Sequence, residues 1–247
     1  MKTGKGADVC YNVQTAVDSK HKLIVDFEVT NAIADQGLLA EIAQKTKEAL
    51  AVAGLAVVGD GGYFEGTTIK ECEDAGITTY VPVEEADGTT SRGVFSRQLF
   101  NYDEARDLYR CPAGEELHVT SKFKRKNGKV METRIYGTKA CLGCPLRVQC
   151  TTSKYGRKIK RWIHQAVIER QAERNRNNPE FKKQRGSLIE HVFGTIKRAM
   201  GHTHFLTKGI EKVSTEFSLT VLSYNFKRVT SIMGVEGMRR SFAMKGA

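Results

Sequence analysis

Residues 55–66 read LAVVGDGGYFEG, and this stretch decides the fold class. Its first four residues form a short apolar run without polar interruption, the pattern of a strand buried on both faces of an α/β sheet. Asp60 follows just past the carboxyl end of that run, where open α/β sheets collect their ligands. Asp before Gly61 and Gly62 is also ordinary turn chemistry, and the stretch taken alone favours the turn over a site. No Gly-Lys-Ser/Thr follows the glycines, which excludes a Walker-type nucleotide loop.

Upstream, Asn12 to Val17 and Leu23 to Val29 flank the polar run Ser19 to Lys22 and read as an antiparallel hairpin. Between Asp35 and Ala53 the apolar positions Leu38, Leu39, Ile42, Ala43, Ala49 and Leu50 fall at helical spacing, with Asp35 suited to the N-cap and Gly54 to the stop. Downstream, a helix from Thr68 to Ala75, with Thr68 and Glu71 at capping-box spacing and Gly76 as terminator, leads to a strand over 77–83. Hairpin, helix, strand, helix, strand is an α/β core. From Glu84 the periodicity stops, so 1–83 reads as the first part of the core and 84–153 as an inserted module. Inside the module, Lys122 to Arg125 and Val130 to Tyr136 flank Asn127-Gly128, the strongest short hairpin signal. The remaining 154–247 is basic and helical and completes the core. A helix from Pro179 to Met200 carries Glu190, and one from Phe217 to Ile232 presents Leu219, Leu222, Phe226 and Val229 as an apolar stripe.

Lysine and arginine number 39 against 28 aspartates and glutamates, a formal charge of +11 that suits a polyanionic partner. No apolar run approaches the ~18 residues that span a bilayer, and the amino-terminal residues lack the apolar core of a secretory signal, so a cytoplasmic protein without a membrane partner is expected. In a reducing compartment, four of the six cysteines lying near one another favour metal over disulfide.

Three acids stand in distinct settings: Asp18 closing the first strand, Asp60 after the apolar strand, and Glu190 in a late helix. Gathered together they would hold two Mg²⁺ or Mn²⁺ ions, which activate an attacking oxygen and stabilise a leaving one at a phosphodiester. Asp26 lies within a strand and Asp35 serves as a cap, so Asp18 is preferred as the partner of Asp60. Lys197 falls on nearly the same helical face as Glu190, and Arg185 lies further round. Without context, an acid among bases reads first as a solvated, salt-bridged face.

Cys111, Cys141, Cys144 and Cys150 bracket the hairpin and supply four thiolates for a tetrahedral structural Zn²⁺, or four buried thiols packed as small apolar groups. Lys154, Arg157, Lys158, Lys160, Arg161, Arg170, Arg174 and Arg176, interleaved with Tyr155 and Trp162, make a strand-gripping surface. Trp162 reads either as a stacking platform or as a core anchor.

The strings YNVQTAVDSKHKLIV, VVGDGGYFEG, ACLGCPLRVQC, IEHVFGTIKRAMGHTHFLTKG and EFSLTVLSYNFKR resemble the DDE transposases of the IS1182 type, within the wider IS4/IS5-like insertion-sequence transposases. The resemblance runs from about Tyr11 to Met233. It implies an RNase H-like mixed-sheet core with an inserted cysteine-rich, zinc-ribbon-like β-hairpin module and C-terminal helices. It further implies Asp18, Asp60 and Glu190 as the metal-binding triad, and Arg185 and Lys197 as contacts to the phosphate backbone. The implied activity is hydrolysis at transposon ends and strand transfer into target DNA, by a homodimer at the bacterial nucleoid. Relatives carry a helical DNA-binding region before the YNVQ segment, whereas only ten residues precede Tyr11 here. The chain is therefore expected to be the catalytic part of a longer transposase, with an inactive DNA-binding fragment and a general RNase H-like nuclease as the alternatives.

Overall fold

The computed structural model describes residues 2–3, 6–7, 10–83, 93–127 and 129–245. The start of the expected inserted module, residues 84–92, therefore lies outside the described residues, as do Gly128 and the side chains of 124–131. The chain divides into two units, residues 1–82 with 170–247, and residues 83–169.

In the first unit a minimal ladder, β1 (Lys2–Thr3) with β2 (Gly6–Ala7), precedes the hairpin of β3 (Asn12–Val17) and β4 (Ile24–Thr30). The hairpin is antiparallel, pairing Asn12 with Thr30 and shifting register at Ala16/Val17. Helix α1 (Leu39–Leu50) buries Leu39, Ala40, Ile42, Ala43 and Thr46, one stripe at helical spacing. Two expected end signals are not the ones used. The α1 N-cap is Leu38, which offers no side-chain bond, and the helix stops at Ala51 in the left-handed conformation (φ 52°), ahead of Gly54.

Strand β5 (Leu55–Val58), helix α2 (Gly66–Asp74) and strand β6 (Ile77–Tyr80) form a β-α-β unit whose strands pair in parallel, Leu55 with Ile77 through Val58 with Tyr80. Thr68 is buried in the first turn of α2 and its hydroxyl donates to Glu65 Oε2 at 3.0 Å, so it is no cap. Gly76 does terminate the turn, at φ 67°. The expected burial of β5 on both faces is corrected: Ala56 is exposed and the other three residues are half-buried. A strand with a single hydrogen-bonded neighbour leaves part of its surface open, and among the described residues β5 pairs only with β6, as β3 pairs only with β4.

Helix α5 (Glu180–Gly194) runs directly into a π-turn over Thr195–Ala199, and α6 (Ile210–Lys245) follows, with a non-helical Gly234 (φ 70°) inside it. The core of this unit joins Ile24 and Val29 of β4 to Val192 and Ile196 and to Val213, Phe217 and Tyr224 of α6. The Tyr224 hydroxyl donates to the Lys22 carbonyl at 2.7 Å, and the Asn225 amide exchanges bonds with both backbone groups of Ile24, tying α6 to the hairpin. The apolar stripe read from the sequence is not the packed face of α6: Leu219, Leu222 and Phe226 are exposed, Leu222 at 65%, and Val229 is half-buried. Apolar residues occupy both faces of this helix, so periodicity alone selects the wrong side.

The second unit is a five-stranded antiparallel sheet in the order β11 (Ile159–Trp162), β10 (Lys129–Gly137), β9 (Glu116–Asn127), β8 (Leu108–Arg110), β7 (Asn101–Asp103). The Asn127 hairpin forms where the turn signal places it, with Asn127 paired to Lys129. Short α3 (Arg147–Cys150) and the start of α4 (Gln165–Asn177) complete it. Phe100, Tyr109, Leu117, Tyr136 and Ile159 form its core. Beside them the Asp107 carboxylate accepts from the Tyr102 and Tyr136 hydroxyls and pairs with Arg134.

Because the inner face of α6 carries the packing, Phe217→Ala is expected to cost about 3–5 kcal/mol of unfolding free energy, while Leu222→Ala stays within about 0.5 kcal/mol. Denaturant unfolding of the two variants checks this.

Candidate active site

β3 sends Asn12 and Gln14 to the same side of the hairpin, since side chains two apart on a strand share a face. Gln14 is only 3% exposed, so its carboxamide must find partners inside the protein. Its Nε2 donates to Asn12 Oδ1 at 2.7 Å and to Asp35 Oδ1 at 2.9 Å. Asn12 Nδ2 donates to the same Asp35 oxygen at 2.7 Å. The Gln14 oxygen accepts from the Tyr63 hydroxyl. Asp35, read from the sequence as a helix cap, is thus tied through its side chain to β3, and its chain carbonyl receives the Leu38 amide at 3.1 Å.

Tyr63 ends the 3₁₀ turn Gly61–Tyr63, and Asp60 caps that turn, accepting the Gly62 amide at 2.8 Å. A Cβ on Gly62 would lie 3.0 Å from Asp60 Oδ1 and 3.5 Å from Asp35 Oδ2, so the two carboxylates converge where only glycine leaves room. Burial pushes the Tyr63 phenol well above its ordinary range, and the negative charges of Asp35 and Asp60 push it further. A group flanked by two anions cannot ionise cheaply, so Tyr63 stays a hydrogen-bond donor.

Asp18 sits in the β3–β4 turn, where its Oδ2 accepts the His21 amide at 2.5 Å and faces His21 Nδ1 at 3.5 Å. Its backbone closes the same turn through Leu23 O and the Lys22 amide. Glu190 is exposed on α5, and Lys197 is exposed in the π-turn with its ammonium 5.8 Å from the Phe193 ring. Arg185 is half-buried on α5. Among the described residues no three His, Cys, Asp or Glu side chains form a group that could hold a metal ion, so Asp18, Asp60 and Glu190 are not a ready-made cation pocket.

In the second unit Cys111, Cys141, Cys144 and Cys150 line one apolar cavity, shared with Phe95, Phe100 and Arg157. Burial raises the Cys150 thiol, against the pull of Arg157, and the other three cysteines all lie near enough to add to the rise. Cys111 and Cys141-x2-Cys144 sit on turns closed by Gly114 N to Cys111 O and by Gly143 N to Ala140 O. Gly156 makes the approach possible, since it holds φ 84° and a Cβ there would fall 2.6 Å from Cys141 Cβ.

Residues 110–230 match the family model described as the transposase DDE domain. No curated protein and no solved structure matches the chain. The matched span supports a transposase of the DDE type. It takes in the four cysteines, Arg185, Glu190 and Lys197, and it ends well short of Asp60 and Asp18 on the amino-terminal side.

Within the span, the residues expected to grip a strand divide by exposure. Lys158 and Lys160 are exposed, and so is Tyr155. Arg161 is corrected, and Trp162 takes its core-anchor reading: at 6% and 8% exposure both are buried. Arg161 makes a two-pronged pair with Glu169 and lies 3.7 Å over the Tyr102 ring. Arg157 donates to the Cys150 carbonyl at 3.3 Å and stacks over Phe100, which explains its half-burial. Alternation along β11 turns Ile159 and Arg161 inward and Lys160 outward, while Trp162 at the strand's end is buried as well. Among the described residues no helix is long and apolar enough to cross a membrane.

Gly156→Ala must both strain a left-handed backbone and displace Cys141. A loss of about 2 kcal/mol or more in unfolding free energy is expected, measured by denaturant melts of the two proteins side by side.

Proposed function

We propose that this chain is the catalytic part of a DDE transposase, which cleaves the phosphodiester at the ends of a mobile element and joins the freed 3′-hydroxyl to target DNA. The observation that carries the reading is the match of residues 110–230 to the transposase DDE domain, in a chain whose Asp60 stands beyond the carboxyl end of a parallel strand. Reactions of this class use divalent cations such as Mg²⁺, which neutralise charge on the transferred phosphate. Asp18, Asp60 and Glu190 are the carboxylates assigned to that chemistry, in a core of RNase H-like type. Among the described residues they do not form a ready-made group of three metal ligands. Arg185 and Lys197 flank Glu190 along its helix and π-turn, and with Lys158 and Lys160 they supply cations for the phosphate backbone. A net charge of +11 favours that partner throughout. In the active complex two copies act together, one at each element end.

The reading is tested by nicking of supercoiled plasmid DNA in Mn²⁺ or Mg²⁺. Asp60→Asn and Glu190→Gln are each expected to lower the rate by about 10²-fold or more, the scale on which a single charge-stabilising group counts. Asp18→Asn is the discriminating variant, because asparagine still accepts the His21 amide and keeps the turn. Its expected result is the same loss at an unchanged melting temperature; full activity would remove Asp18 from the site.

The same reading takes Cys111, Cys141, Cys144 and Cys150 as ligands of a structural Zn²⁺. Four thiols around one cavity support it, and an all-thiolate set leaves no open position for catalysis. Since no three of them stand ready to ligate, the ion would draw the turns together, coupling binding to folding of this unit. Metal analysis of the purified chain should find one zinc, lost in Cys144→Ser together with thermal stability.

A further inference from the structure

We propose that Gln14 and Asp35 are the positioning residues of the Asp60 site, a device that fixes Asp60 from β3 across the hairpin. The inference rests on the reading of Asp60 as a catalytic carboxylate and adds to it what holds that carboxylate in place. It begins with a charge. An ionised carboxylate only accepts hydrogen bonds, so both amides that meet Asp35 Oδ1 must present nitrogen to it. With its nitrogen committed to Asp35 and Asn12, Gln14 must turn its oxygen the other way, to the Tyr63 hydroxyl. Tyr63 must then donate, since an amide oxygen can only accept. Asp35 therefore sets the direction of every bond in the chain Asp35, Gln14, Tyr63.

The far end of that chain is the turn that carries Asp60. Tyr63 N bonds Asp60 O at 3.2 Å, and Asp60 Oδ1 receives the Gly62 amide, so the turn has one end pinned to Gln14 and the other closed by Asp60 itself. Gln14 is buried and sits in the middle of a paired strand, opposite Glu28, which makes it a rigid anchor. The return path is steric: Asp35 Oδ2 approaches over Gly62, where a side chain would collide with Asp60. Asp18, by contrast, is occupied in the hairpin turn.

The test uses the full chain and compares wild type, Asp35→Asn, Asp35→Glu, Gln14→Glu and Asp60→Asn. In plasmid nicking with Mn²⁺ as the varied component, Asp35→Asn and Gln14→Glu should raise the half-saturating Mn²⁺ concentration about 10-fold or more, the usual effect of groups that orient metal-site carboxylates. Asp35→Glu, which restores the charge, should recover part of the loss. A merely structural role would lower the melting temperature and leave the metal dependence of the folded fraction unchanged, and that result overturns the proposal. Failure of the reading it rests on shows separately, as wild type that does not nick or nicking that survives Asp60→Asn. In that event hydrogen exchange at the Gly62 amide decides: about 10-fold faster exchange in Asp35→Asn upholds the device, and an unchanged rate refutes it.

Discussion

A buried carboxamide has one oxygen and one nitrogen to place, and at Gln14 the Asp35 carboxylate determines which way they point. Were that orientation reversed, Gln14 would set its oxygen against the Asp35 carboxylate, two acceptors with no proton between them. An unmet buried group costs roughly 1–3 kcal/mol, more beside a charge. The hairpin, the segment around Asp35 and the turn after β5 are thereby locked in one mutual arrangement. Segments separated in the chain by 21 and 49 residues meet through three side chains.

The rest of the first unit supports this constraint by holding β3 still. β4 pairs with β3 along its length and inserts Ile24 and Val29 into the core shared with α6. Tyr224, Asn225 and Arg228 of α6 each bond a backbone carbonyl of the 21–24 segment, and α1 buries a full stripe of its own. The β5-α2-β6 unit is pinned separately: Gln171 and Asn175 both donate to the Val81 carbonyl at 2.8 Å, and the Thr79 hydroxyl donates to the buried Gln171. Asp60 thus leaves a strand whose partner is fixed from behind and enters a turn fixed from the side.

How much was legible in the sequence follows from the range of the interactions. The hairpin, the strand at 55–58, helix α2 and the Asn127 ribbon all obey local periodicity or turn chemistry, and they formed at or near the expected residues. Asp35 was missed because its partners lie 21 and 23 residues away, where no spacing rule reaches, and because an acid ahead of a helix has a ready local explanation. The signal that would have found it is the alternation of Asn12 and Gln14, two amides on one face of a strand that otherwise carries Val13, Ala16 and Val17. The buried side of α6 was misjudged because both its faces are apolar. Arg161 was read as surface because its pairing with Glu169, which makes its burial tolerable, is a tertiary contact. The mixed-sheet core implied by the resemblance does not appear as one ladder: among the described residues the strands of this unit pair as β1–β2, β3–β4 and β5–β6.

The central claim is that a carboxylate at position 35 orients the Gln14 amide and, through it, the turn bearing Asp60. The most direct measurement is side-chain amide exchange of Gln14 by ¹⁵N NMR on the intact chain. The account predicts two Nε2 protons strongly protected from solvent in wild type and released in Asp35→Ala, with the Asn12 side-chain amide released alongside. Gln14 protons that exchange at the rate of a solvent-exposed glutamine in wild type, or that keep their protection when Asp35 is gone, would contradict it.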